Sequence, residues 1–130
     1  LTGGDETFDS LTTIRFTVRG ETGPAGGTDT FVEVRPDRLH SVTLDGHPLD
    51  PADLDDNRLP LRNLAPGEHE LRVDAAMAYS RTGEGMHRFT DPADGETYLY
   101  TQLFLDDVQR VFAAFDQPDL KARFDLTVRA

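Results

Sequence analysis

Apolar residues along most of this chain recur at every second position, the spacing of strands with one buried face. Thr12 to Val18 sets Ile14, Phe16 and Val18 against Thr13, Arg15 and Thr17. His69, Leu71, Val73 and Ala75 share a face opposite Glu70, Arg72 and Asp74. Shorter strands are predicted at Phe31–Val34, at Ser41–Asp45, from Leu59 through Leu61, at Met86–Phe89 and at Tyr98–Leu103. Turn residues separate them. Asp45-Gly46 supplies the positive φ angles of a tight hairpin, Ala65-Pro66-Gly67 turns the next strand, and Thr90 to Gly95 forms a longer hairpin turn. Gly20 to Gly27 lacks the side chains to build a core and is expected to be a mobile loop. Strands at such short intervals predict an all-β, mostly antiparallel β-sandwich.

The period changes once. Val108, Val111, Phe112 and Phe115 are spaced by three and four, which predicts one short helix over Leu105–Ala114 near the C-terminus. Asp106 is the expected N-cap, with Gln109 completing a capping box, and Pro118 ends the helix. Ala122, Phe124, Leu126 and Val128 then alternate with polar residues and predict a final strand.

Composition narrows the chemistry. With 130 residues, one domain is expected, and 37% hydrophobic content implies a thin core. Twenty-four acids against 13 bases give a net charge of −11, a field that repels phosphate backbones and argues against a nucleic-acid partner. No run is apolar enough for a membrane span. The absence of cysteine removes thiolate chemistry and fits a reducing compartment, so a cytoplasmic location is expected.

Candidate sites are few. Asp50, Asp53, Asp55 and Asp56 suggest a calcium loop, but the segment lacks the interior glycine and distal glutamate of that pattern and reads as a solvated turn with a helix cap. Tyr79–Gly85 lacks the lysine and following helix of a phosphate loop. His40, His47, His69 and His87 show no metal-ligand spacing and are expected at the surface or at strand edges. Ser10, Ser41 and Ser80 sit in no nucleophile elbow. The residues alone give no catalytic group, no metal ligand and no cofactor.

One stretch is more specific. Tyr98-Leu99-Tyr100-Thr101-Gln102, then Arg110, Phe112, Phe115-Asp116-Gln117-Pro118 and Leu120-Lys121-Ala122, resembles the aminopeptidase N family of zinc metallopeptidases. Thr82 to Pro92 is similar to the actinobacterial members. The resemblance implies that residues 1–130 are the saddle-like N-terminal β domain of a longer protein, with most of the family's first strand lying upstream of Leu1. Its zinc and its catalytic residues would lie in a separate catalytic domain, absent here. Its partners would be that domain and a peptide substrate. Gln102 matches the family glutamine beside the pocket for the first substrate side chain. Phe104 stands where the family usually carries a glutamate for the substrate's α-amine, and Asp107 matches the helix-start aspartate. Three readings remain open: part of a working or weakened zinc aminopeptidase, a domain of a non-catalytic relative, and a stand-alone β-sandwich binding module. A shortened first strand would leave an exposed sheet edge prone to pairing between chains.

Overall fold

The computed structural model describes residues 4–20 and 27–129, so the expected Gly20–Gly27 loop lies mostly outside the described residues. Among the described residues there are eight strands: β1 (Thr7–Val18), β2 (Thr28–Glu33), β3 (Arg38–Leu44), β4 (His47–Leu49), β5 (Arg58–Leu64), β6 (Gly67–Ala78), β7 (Gly85–Thr90) and β8 (Thr97–Gln102). They form one four-stranded sheet in the order β1-β6-β3-β4 and two hairpin-sized sheets, β2-β5 and β7-β8, with antiparallel ladders throughout. The all-β class expected from the period-two pattern is what the chain adopts.

β6 is the spine. It pairs β1 over twelve residues, from Thr7 opposite Ala78 to Val18 opposite Gly67, and pairs β3 on its other side. Leu71, Val73, Ala75 and Met77 point into the core, while Glu70 and Arg72 stay exposed. Leu59, Leu61 and Leu64 of β5 and Val32 of β2 enter the same hydrophobic cluster, so the four-stranded and β2-β5 sheets share one core. Burying a leucine or valine contributes about 1.5–3 kcal/mol each, so these alternating positions are the main source of stability. The Asp45-Gly46 turn is as expected: φ is 51° and 78°, and Leu44 faces His47 across it. Asp50 accepts a hydrogen bond from the Ala52 amide at 2.9 Å and caps a single 3-10 turn at Pro51–Asp53, the capped turn that the acidic segment predicted.

Two expectations fail, both in the last quarter. The helix over Leu105–Ala114 is replaced by a single 3-10 turn, Val108–Arg110, with Asp107 rather than Asp106 at its N-cap and no side-chain capping bond. The backbone groups that a helix would use are taken elsewhere. The Gln109 carbonyl accepts from the Arg35 amide at 2.8 Å, and Ala114 exchanges both its backbone bonds with Glu33 at 2.9 Å. Leu105 also sits at φ 49°, outside the right-handed helical region. Tertiary pairing therefore overrides the local period. The expected final strand is absent as well. Residues 118–129 have no ladder partner among the described residues, and Phe124, Leu126 and Val128 are exposed. Alternation supplies two faces but not a neighbouring strand to satisfy the backbone.

Candidate functional site

β8 ends at Gln102, which lies opposite Gly85 of β7 in the antiparallel register. The chain then leaves the sheet through Leu103 and Phe104, turns at Leu105, and returns to the body of the domain at the 3-10 turn. Phe104 and Leu105 are 74% and 72% exposed, unusually open for apolar residues of this size. Gln102 is exposed too, so the structure places both predicted site residues on one solvent-facing segment at the end of the hairpin.

The far side of this segment is anchored. Arg110 donates from Nε to Asp107 Oδ1 at 2.7 Å, and Gln109 donates from Nε2 to the Asp106 carbonyl at 3.0 Å. Arg110 also lies across Gly85: a Cβ added there would meet the Arg110 side chain at 3.1 Å, and φ is 69°. Glycine is required twice over, for the backbone angle and for the close approach. The β7-β8 hairpin and the turn after Phe104 are thereby held together.

The acids near Phe104 differ in availability. Asp107 is committed to Arg110, whereas the Asp106 side chain is exposed and makes no ion pair among the described residues. Asp116 is half-buried. Burial, then the nearby Glu33 and Asp106 charges, push its carboxyl above the usual carboxylate range, and its Oδ2 has no hydrogen-bond partner among the described residues. Sequence reasoning quoted Asp116 only as part of a motif, and nothing in its spacing signals burial.

The histidines divide. His40 and His47 are exposed, as expected. His87 accepts the Gly83 amide at Nδ1 (3.2 Å) and lies 4.9 Å from the Tyr100 ring. His69 is a correction: it is on the central strand rather than at the surface or at an edge. Its ring stacks on Phe16 at 5.5 Å, with Nδ1 at 2.7 Å from Asp45 Oδ2 and Nε2 at 2.8 Å from the Ala65 carbonyl. Both neighbours are acceptors, an arrangement that favours the ring with both nitrogens protonated. The Ala65 carbonyl first, then Asp45, raise its pKa from the ordinary 6.5. The signal was available, because His69 shares the period-two face of Leu71 and Val73.

Among the described residues, no three His, Asp or Glu side chains converge as metal ligands. Ser80 Oγ is shared with Thr82, as the acceptor of its amide and the partner of its hydroxyl. No described helix is long and apolar enough to cross a membrane. What the segment offers chemically is recognition: an amide at Gln102, an exposed ring at Phe104 and a carboxylate at Asp106.

No protein-family model matches the chain. It is 49% identical over 133 aligned residues to Aminopeptidase N of Streptomyces lividans, an alignment that takes in all of this chain and 15% of that relative, in its N-terminal region.

Proposed function

From this similarity to the N-terminal region of an aminopeptidase N, we propose that residues 1–130 are the saddle-like N-terminal β domain of a longer zinc-dependent aminopeptidase. The identity of 49% along the whole chain carries this reading. In it, the domain is not itself catalytic. It contributes Gln102 and Phe104 to the pocket for the N-terminal residue of a peptide substrate and docks on its own catalytic domain. Zinc would be held in that domain, a placement supported by the similarity to an aminopeptidase N. The enzyme would act in the cytoplasm.

The exposed segment from Gln102 to Asp106 supports this role, because it presents side chains outward at the end of a braced hairpin. The free α-amine of a substrate needs a carboxylate partner. Phe104 cannot provide one. Asp106 is the nearest carboxylate along the chain that is not already paired, and it takes that place in our reading. The test is chelator-sensitive release of N-terminal residues from aminoacyl-arylamides by the full-length protein. Asp106→Asn is expected to raise KM at least tenfold, and Phe104→Glu is expected to lower it. A zinc-loaded full-length protein with no such activity would reject the reading in its working form. That outcome would favour the second one, a domain of a non-catalytic relative, which Phe104 itself motivates.

A further inference from the structure

A cleft of about 300 Å³ opens where the end of β6, the start of β7 and the 3-10 turn meet, and three arginines line it: Arg35, Arg81 and Arg110. In a chain of net charge −11 with 13 basic residues in all, three guanidinium groups around one cleft is a marked local reversal of sign.

Part of that charge is met by neighbouring acids, and part is left over. Arg35 is exposed and forms no ion pair among the described residues. Arg81 donates to the Asp5 carbonyl at 3.4 Å and approaches Glu6 at 3.6 Å, where both side chains are largely in water (55% and 87% exposed), so the ion pair is weak. Arg110 commits Nε to Asp107, which fixes the side chain and leaves its two terminal nitrogens to donate. Glu84 also feels the Arg110 charge, so Arg110 acts chiefly as a positioned donor, while Arg35 and Arg81 carry the unbalanced charge. The wall holds the hydroxyls of Ser80 and Thr82 and the apolar surfaces of Tyr79 and Met86.

We propose that this cleft binds a carboxylate attached to a small apolar group, specifically the C-terminal end of a short peptide. Guanidinium forks match the two oxygens of a carboxylate. Met86 with the edge of Tyr79 can cover the last side chain. The volume lies at the small end of ligand pockets, enough for one residue and not for a folded partner. The proposal does not depend on the roles assigned to Gln102 and Phe104.

The experiment is an NMR titration of the 130-residue chain with trialanine as the free acid, with its C-terminal amide and with inorganic phosphate. The free acid is expected to shift the Nε–H signals of Arg35, Arg81 and Arg110 and the amides of residues 80–82 along saturable curves. The amide is expected to bind at least tenfold more weakly, and so is the acid to Arg35→Gln and Arg81→Gln. Both variants replace exposed side chains, and the retained dispersion of their spectra checks that they fold. Equal binding of acid and amide, phosphate binding as tight as the acid, or shifts scattered over the surface would each overturn the proposal.

Discussion

At the scale of single residues, two positions carry more than their neighbours. Gly85 is held at φ 69° under the Arg110 side chain. Gly85→Ala introduces both a strained backbone angle and a contact at 3.1 Å. It is expected to cost about 1–3 kcal/mol, read as a lower midpoint in urea at unchanged slope. His69 links the Asp45 turn to Ala65 through two donated bonds. Its folded pKa is raised, so its stabilising effect is complete below its ordinary 6.5 and is lost as pH rises through the folded value. Asp45 behaves oppositely. The Glu70 amide first, then His69, lower its pKa, so its contribution is complete above 3.8 and is lost as pH falls through the depressed value. Thermal melts should therefore show a plateau from about pH 4 to 6.5 attributable to this pair. His69→Gln should remove the alkaline decline of that plateau, and a histidine NMR titration should place His69 above the ordinary 6.5.

At the scale of elements, legibility followed burial. β5 and β6 were readable because each is packed on one face, so the period in the sequence equals the period in the structure: Leu59 and Leu61 in one, Leu71, Val73 and Ala75 in the other. The segment from Leu105 to Ala114 was misread because its spacing of three and four is also satisfied by one turn followed by a strand-like bridge. Choosing between them depends on Glu33 and Arg35, 81 and 74 residues from their partners Ala114 and Gln109 in sequence and invisible to a local pattern. Gln102 and Phe104 could be named from a motif, but the raised carboxyl of Asp116 and the convergence of Arg35, Arg81 and Arg110 are products of folding alone. The tail gives a direct check. Phe124 meets the Phe112 ring, with centroids 6.1 Å apart, and Leu126 is 75% exposed. Leu126→Ser in the 130-residue chain should change stability by less than about 0.5 kcal/mol, measured by urea unfolding, whereas Leu71→Ala should cost about 2–5 kcal/mol.

At the scale of the whole molecule, one sheet ends in β1, a twelve-residue strand that pairs only with β6 among the described residues. Its outer edge has no ladder partner among the described residues, and unpaired edges recruit other strands. The alternating residues Ala122 to Val128 have the composition of such a strand and no ladder of their own. Concentrated chain should therefore associate, more so as salt screens the net charge of −11. Sedimentation at increasing concentration and ionic strength checks this, and a strict monomer throughout would refute it.

The bond from Arg110 to Asp107 and the seat of Arg110 on Gly85 have a consequence for change over generations. They pin both feet of the arch from Gln102 to Asp107, while its crown at Phe104 stands largely in solvent. Framework and variable position are thus separated within six residues. The crown can trade an aromatic ring for an acid, or back again, by codon changes at one site without disturbing a core contact. A lineage built on this arch can retune what it greets at little cost to the fold beneath.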